Sequence, residues 1–144
     1  MPKLDAFKLD NFKIDGDNIN TVVTAGDVIL AESLDVVNIA NKTSYNKAKD
    51  IQVEVSGTIR VSYKLANTDF GTVYANIYVN DSVVGTERSI GYNDAAQTFS
   101  EDITVSKGDN VQVWGKCSHI AYTGCAISEF MLKCAENPLA NVIA

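Results

Sequence analysis

The residues best suited to chemistry are the one histidine and the three cysteines, all in the last third of the chain. Cys117 and His119 are two positions apart, so on a β-strand they would share a face and could form a thiol–imidazole dyad. With Cys125 and Cys134 they make a Cys3His set for zinc, but the Cys-x-His spacing is not that of a zinc knuckle. An odd cysteine count without a C-x-x-C pair favours a reducing compartment and small core residues. We predict no catalytic residue, no metal ligand and no cofactor.

The acidic residues offer a second kind of chemistry. Glu101 and Asp102 are adjacent, so on a strand they point to opposite faces and cannot flank one glycosidic bond. Residues 15–18, Asp-Gly-Asp-Asn, resemble a calcium loop, but the glycine comes too early and the closing glutamate of an EF-hand is missing. Calcium held by sandwich loops stays an alternative. Residues 107–109, Lys-Gly-Asp, are typical of a tight turn.

A Tyr-Asn-Tyr stripe is the remaining candidate binding site. Tyr74, Asn76 and Tyr78 alternate with small or branched apolar residues in 73–79, so on a strand they share the face opposite to the core. Aromatic rings on an outer face could stack on a sugar or on a neighbouring protein. Alternatively, a loop of the same domain covers the stripe.

The elements that must position these residues are short β-strands. In 58–65 the apolar residues hold the odd positions, while Arg60, Ser62 and Lys64 hold the even, solvent-facing ones. Asn80-Asp81 predicts a hairpin after 73–79, and strand-sized segments recur roughly every 8 to 12 residues. Residues 40–49 are polar and predict a loop. The pattern predicts an all-β fold, a single antiparallel, jelly-roll-like β-sandwich.

The first 18 residues follow a different pattern. Three pentads begin at Lys3, Lys8 and Lys13, and a five-residue period suits neither a helix nor a flat strand. We predict an extended arm at 1–18, a sandwich domain at 19–136 and a tail at 137–144. The arm either packs on its own domain as a first strand, reaches a neighbouring subunit or is a disordered tail. Its large apolar residues are Leu4, Phe7, Leu9, Phe12 and Ile14.

Composition limits the classes of partner. The chain has 144 residues, of which 46% are hydrophobic and 21% charged, which suits one ordered domain. Its formal net charge of −6 and its 12 dispersed basic residues argue against a nucleic-acid partner. No run approaches the ~18 apolar residues of a membrane span, and the first residues lack the apolar region of a signal peptide. We expect no membrane partner and synthesis in the cytoplasm.

Several segments together resemble β-sandwich virion proteins of tailed bacteriophages. They are the strand and turn patterns of 59–65 (Ile-Arg-Val-Ser-Tyr-Lys-Leu), 73–88, 98–103 and 108–114, and the resemblance covers about 55–134. It implies a non-enzymatic structural protein of the virion, made in the host cytoplasm. The expected role is capsid decoration, or cement, on the outer surface of the head. The expected partner is the major capsid protein or a second copy, as a dimer or trimer.

Two sets of site residues follow from this resemblance. For a decoration protein, we expect the arm to form the docking surface through Leu4, Phe7, Leu9, Phe12 and Ile14. The alternative implied by the resemblance is a tail fibre or baseplate module that recognises carbohydrate on the host surface. For that role the ligand-facing residues would be Tyr74, Asn76 and Tyr78.

Overall fold

The computed structural model describes residues 22–40, 42–119 and 124–136, and these residues form eleven β-strands and no helix. The all-β class predicted from the sequence is therefore confirmed. The predicted arm, residues 1–18, and tail, residues 137–144, lie outside the described residues. The strands in chain order are β1 (Val22–Val23), β2 (Val28–Ser33), β3 (Val37–Ala40), β4 (Asn46–Gln52), β5 (Ser56–Asn67), β6 (Val73–Val79), β7 (Ser82–Val83), β8 (Arg88–Ile90), β9 (Gln97–Val105), β10 (Asn110–Cys117) and β11 (Gly124–Cys134).

The strands pack as two sheets, which we call the front and back sheets. The front sheet has the order β4, β10, β6, with β7 and β8 both paired to β6. The back sheet has β9, β5 and β11 side by side, with β2 and β3 paired to β11 and the short β1 paired to β5. Among the described strands only the pairing of β1 with β5 is parallel. The chain changes sheet after β3, β4, β5, β8, β9 and β10, so the predicted jelly-roll-like sandwich is confirmed.

The core lies between the two sheets and uses alternate residues of each strand. The odd-numbered residues of β5 and β6 point inward, as the alternation in 58–65 and 73–79 predicted. Fully burying each branched aliphatic side chain contributes about 1.5–3 kcal/mol. These inward residues, with those of β10 and β11, include Ile59, Val61, Tyr63, Leu65, Val73, Ala75, Ile77, Val111, Val113, Ile127, Phe130 and Leu132.

Gly115 occupies an inward, buried position on β10 and faces β11 of the back sheet. A Cβ at this position would lie 2.8 Å from both Cys125 Sγ and Ile127 Cδ1 of β11. Since interiors are close-packed, those atoms have no room to move away. The glycine therefore allows β10 of the front sheet to lie close against β11 of the back sheet.

The loop predicted at 40–49 is wrong in its second half, because β4 begins at Asn46. Its sequence, Asn-Lys-Ala-Lys-Asp-Ile-Gln, has few residues that favour strands, but it pairs with β10 along its length, and this pairing overrides local propensity. Lys49 even points inward and is buried. Its Nζ donates hydrogen bonds to Ser33 Oγ at 3.0 Å and to the carbonyl of Asp35. Burial lowers the pKa of the Lys49 ammonium.

The solvent-facing side of β5 was predicted correctly for Arg60 and Lys64 but not for Ser62. Arg60 and Lys64 are only partly buried, whereas Ser62 is buried. In the sheet register Ser62 lies between Ser100 of β9 and Met131 of β11. A small side chain in a strand with a neighbour on each side is covered more easily than a long one, and the strand period alone does not contain that information.

Two predicted turns are confirmed. Asn80 and Asp81 have φ values of 52° and 68° and join β6 to β7 as a two-residue hairpin, which is the geometry of a type I′ turn. Residues 107–109 turn the chain between β9 and β10, with Gly108 at φ 96° and Asp109 Oδ2 accepting from the Ser106 amide at 2.8 Å. In the part of the chain that the structure describes, no helix is long and apolar enough to cross a membrane.

Candidate functional site

The outer face of the front sheet brings the Tyr-Asn-Tyr stripe beside a second row of side chains. The outward residues of β6 and β10 are direct cross-strand neighbours, because the strands pair in register. The pairs are Tyr78 with Gln112, Asn76 with Trp114 and Tyr74 with Lys116. Tyr45, in the segment before β4, reaches over the same surface. We call the surface formed by Tyr45, Tyr74, Tyr78, Trp114 and Lys116 the aromatic face.

The rings of this face are packed against one another. Tyr78 stacks on Trp114 with ring centroids 4.5 Å apart and planes 14° apart. Tyr45 lies 5.9 Å from Tyr78 with its plane tilted by 57°. Such aromatic pairs contribute about 0.5–1.5 kcal/mol beyond the area they bury. The rings therefore hold one another in defined orientations rather than extending independently into solvent.

Hydrogen bonds fix the Trp114 side of the face. The indole Nε1 donates to Gln112 Oε1 at 2.9 Å, and the Asp81 amide donates to the same oxygen at 3.1 Å. Gln112 is only 2% exposed, and its Nε2 donates to Asp81 Oδ1 at 2.9 Å and to Asp50 Oδ2 at 3.3 Å. Lys47 Nζ donates to Asp50 Oδ2 at 2.9 Å, and this bond raises the pKa of the lysine. A buried amide with all its partners in place makes Trp114 a rigidly held ring.

A second set of contacts fixes the opposite side. The Tyr45 hydroxyl donates to Glu87 Oε2 at 2.6 Å. Burial and the Glu87 carboxylate together raise the pKa of Tyr45, so the phenol stays protonated and keeps donating. Lys116 Nζ lies 3.5 Å from Glu87 Oε2, 4.7 Å from the Tyr45 ring centroid and 5.1 Å from that of Tyr74. These cation–π distances place an ammonium among the rings.

Asn76, which the sequence predicted to face a ligand, is covered in the structure. It is 7% exposed, and its Oδ1 accepts a hydrogen bond from the Ile77 amide at 2.8 Å. The backbone at Gly85 lies against it so closely that a Cβ there would be 2.8 Å from Asn76 Oδ1. Asn76 is thus the covered centre of the stripe, whereas Tyr74 and Tyr78 remain partly accessible.

Cys117 and Cys125 lie near each other, but the described residues do not assemble the Cys3His set. The Cys117 thiol is buried and donates to the Ile39 carbonyl at 3.3 Å, while His119 Nδ1 is 2.8 Å from Ser118 Oγ. Burial, with the nearby Cys117, raises the pKa of the Cys125 thiol to about 12. The prediction that Cys117, Cys125 and Cys134 fill the core is confirmed. Within the described ranges no three His, Cys, Asp or Glu side chains are grouped as metal ligands.

The neighbouring carboxylates of β9 point apart, as predicted. Both oxygens of Glu101 accept from the Thr86 amide, at 3.0 and 2.9 Å, and so join β9 to the segment between β7 and β8. Asp102 lies on the other side of the strand and pairs with Arg60 at 2.9 Å. These two groups serve structural contacts on opposite sides of the back sheet.

The predicted docking residues of the arm, Leu4, Phe7, Leu9, Phe12 and Ile14, lie outside the described residues. The docking of this segment on a capsid or on a neighbouring subunit therefore stays a prediction. The acidic loop at 15–18 lies outside them as well, so the alternative of calcium held by such a loop stays untested.

Sequence reasoning missed Tyr45, Trp114, Lys116 and Glu87. The alternation of Val111 and Val113 with even positions did contain the signal that Trp114 and Lys116 point outward. Tyr45 was hidden because its segment was predicted as a loop. Glu87 reaches the face from the connection before β8, and only the tertiary structure brings it to Tyr45.

Comparisons with known proteins identify the fold but no family. No protein-family model matches the sequence, and no curated protein matches it. The C-terminal domain of the sugar-binding protein EclA is similar over 70% of this chain and 79% of its own, with 12% identity and a TM-score of 0.55. A family 35 carbohydrate-binding module from Clostridium thermocellum has 16% identity and a TM-score of 0.49 over 73% of this chain and 89% of its own.

A third similar structure is the CBM22-1 xylan-binding domain of Xyn10C from Paenibacillus barcinonensis. It has 8% identity and a TM-score of 0.48 over 80% of this chain and 99% of its own. At such identities the likeness is one of fold alone. Of these three structures, the EclA domain alone has a TM-score above 0.5, and the chain shares its fold.

Proposed function

We propose that this protein is a non-enzymatic carbohydrate-binding module and that it holds a sugar chain on the aromatic face. The observation that carries the proposal is a set of rings on an outer sheet face, fixed by hydrogen bonds on both sides. A pyranose ring has apolar C–H faces and hydroxyl groups at its perimeter. Aromatic rings flanked by a few well-placed polar groups suit such a ligand.

Rigidity is the first argument for binding. Trp114 is held by Gln112, and Tyr45 is held by Glu87, so neither ring loses rotamer freedom when a ligand arrives. Ordering a free side chain at an interface costs about 0.5–1.5 kcal/mol each. A face built in advance avoids that cost, which is valuable for a ligand as hydrated as a sugar.

The polar groups around the rings are the second argument. Asp50, Asp81 and Lys47 lie beside Gln112 on one side, and Glu87 and Lys116 lie on the other. Sugar hydroxyls both donate and accept, so carboxylates and ammonium groups together can bind them. The fold similarity to the sugar-binding EclA domain also supports the proposal.

The finer part of the proposal concerns where the carbohydrate comes from. The strand and turn patterns of 59–65, 73–88, 98–103 and 108–114 resemble tailed-phage virion proteins. We therefore propose a tail-associated receptor-binding module whose ligand is a glycan of the host cell surface. The rigid rings favour this role over capsid decoration, which rests on the predicted arm.

A glycan array with substituted proteins tests the proposal. Wild type should bind a defined set of surface glycans, and Trp114→Ala should weaken binding by up to about 10-fold, since a stacked ring contributes about 0.5–1.5 kcal/mol. Trp114→Phe should bind with intermediate affinity, because it keeps an aromatic ring but loses the Nε1 donor. Lys64→Ala on the back sheet is the matched control and should bind as wild type does.

The stability of each variant separates lost binding from lost folding. Thermal unfolding is measured for all of them, and only variants that unfold cooperatively are compared. Wild-type affinity in a folded Trp114→Ala protein, or no binding of any glycan by wild type, would contradict the proposal.

A further inference from the structure

Lys116 differs from the other lysines of the front sheet in the contacts of its ammonium group. Lys47 Nζ donates to Asp50 at 2.9 Å, and Lys49 Nζ donates to Ser33 Oγ and to the Asp35 carbonyl. Lys116 Nζ makes no hydrogen bond to any residue within the described ranges, and its nearest carboxylate oxygen is that of Glu87 at 3.5 Å. Its N–H donors are therefore available to a ligand.

The carboxylate beside Lys116 is already engaged. Glu87 Oε2 accepts the short hydrogen bond from the Tyr45 hydroxyl at 2.6 Å, and this is the same oxygen that faces Lys116. The lysine side chain is 28% exposed, with the rings of Tyr45 and Tyr74 on its other sides. The result is a cation that is partly removed from water, accessible from outside and bordered by stacking surfaces.

A ligand oxyanion would satisfy this cation better than a hydroxyl would. An ammonium attracts a carboxylate or phosphate through their opposite charges as well as through the hydrogen bond, whereas a hydroxyl supplies the hydrogen bond without a full opposite charge. The chain's net charge of −6 does not attract anions at long range, so any preference for them must arise locally. Lys116 is the group on the aromatic face placed to supply it.

Resting on the proposed carbohydrate-binding function, we infer that the aromatic face selects an acidic carbohydrate, whose carboxylate or phosphate group binds Lys116 Nζ while its sugar ring lies on the aromatic rings. Glu87 has the opposite effect on such a ligand, because its negative charge repels the oxyanion. Neutralising Lys116 should therefore weaken the binding of an acidic carbohydrate, whereas neutralising Glu87 should strengthen it.

Isothermal titration with three trisaccharides tests the inference. The probes are a β-1,4-linked glucuronic acid trimer, the matching glucose trimer, and the glucose trimer phosphorylated at one 6-hydroxyl. Wild type should bind one of the two acidic trimers at least about 10-fold more tightly than the neutral one. Whichever acidic trimer binds more tightly identifies the oxyanion.

The variants remove one charge each and keep most of the side chain, so they test the effect of the charge on binding without disturbing the fold. Lys116→Met keeps the aliphatic stem and should abolish the preference, about a 10-fold loss for the acidic trimer alone. Glu87→Gln keeps an acceptor for Tyr45 and should tighten acidic binding a few-fold. Lys64→Met removes a lysine of the back sheet, away from the aromatic face, so it should change binding less than 2-fold.

Three results would overturn the inference. They are equal affinity for the neutral and acidic trimers, array binding restricted to neutral glycans, and the reversed pattern in which Glu87→Gln weakens and Lys116→Met strengthens binding. The reversed pattern would identify a cationic sugar. A wild-type protein that binds neither the array nor any trimer contradicts the carbohydrate-binding function itself, so the two failures are distinguishable.

Discussion

The two outer faces of this sandwich come from the same strand alternation but are built differently. On the back sheet, Arg60 pairs with Asp102 at 2.9 Å and with Asp27 at 3.0 Å, and Lys64 lies 3.8 Å from Glu129. Exposed ion pairs of this kind hold long flexible side chains beside water and add little stability. On the front sheet, stacked rings are held by a buried amide and by a short phenol–carboxylate hydrogen bond.

This difference distinguishes a solvated surface from a binding surface. The back face can rearrange without loss, because each of its charged groups is satisfied by water when its pair separates. On the front face, the side-chain amide of Gln112 has hydrogen-bond partners at both its oxygen and its nitrogen, and it orients the indole ring of Trp114. Networks of that kind rigidify the groups they connect, which is what a preformed site requires.

The largest contrast between the faces should come from Gln112→Leu. This change leaves the Trp114 indole and the Asp81 amide, both partly buried, without their shared acceptor, and leaving a buried group unsatisfied costs about 1–3 kcal/mol. We expect urea unfolding to show a loss of ~2–3 kcal/mol. The matched control, Thr104→Leu on the exposed side of β9, should stay within about 0.5 kcal/mol. Equal losses of unfolding free energy in the two variants would contradict the difference between the two faces.

A smaller effect is expected from Tyr45→Phe. It deletes the hydroxyl bonded to Glu87 and leaves the ring, so about 0.5–1.5 kcal/mol of stability should be lost in the same assay. Glycan affinity should fall a few-fold because the ring is less well oriented. Tyr92→Phe, on an exposed turn, provides the control and should be neutral. An unchanged affinity in Tyr45→Phe would show that the Glu87 bond plays no part in the site.

The tyrosine hydroxyls should also differ in pKa. Burial raises the pKa values of Tyr45 and Tyr63, so in the folded protein both stay protonated above their ordinary value. The unfolded chain releases these protons near pH 10, so stability must fall as pH rises above about 10. Absorbance at 295 nm should show that not all six tyrosines ionise before unfolding. Reversible ionisation of all six in the folded state would contradict the burial of these hydroxyls.

Deleting residues 1–17 should have the smallest effect on the front face. Every residue of the aromatic face lies between Tyr45 and Lys116, so glycan affinity should be unchanged. If the arm residues dock on a capsid, the same deletion should lower capsid occupancy. Unchanged occupancy would end the decoration hypothesis, and a loss of glycan affinity would show that the arm contributes to the face.

The two-residue alternation of the strands was enough to predict most of the fold from the sequence, and about half of the site. Tyr74 and Tyr78 were predicted on an outer face because residues two apart share a face whatever the tertiary structure. The covering of Asn76 and the strand at 46–52 were not predictable in that way. Both depend on contacts with distant segments: Gly85 packs against Asn76, and β10 pairs with β4.

The charged part of the site illustrates the same limit. Glu87 and Tyr45 are 42 residues apart, and nothing in their local sequence indicates that they meet. Lys116 was within reach of prediction, since it shares its strand face with Trp114. Its neighbouring rings, which make it unusual, come from two other segments of the chain.

The most direct test of the account uses the single tryptophan of the chain, which stacks on Tyr78 in the aromatic face. A glycan identified on the array is titrated while Trp114 fluorescence and the NMR signal of its indole N–H are followed. The account predicts a saturable change in both, with the same dissociation constant as calorimetry. A glycan that binds while both Trp114 signals stay constant would place the site elsewhere and contradict the central claim.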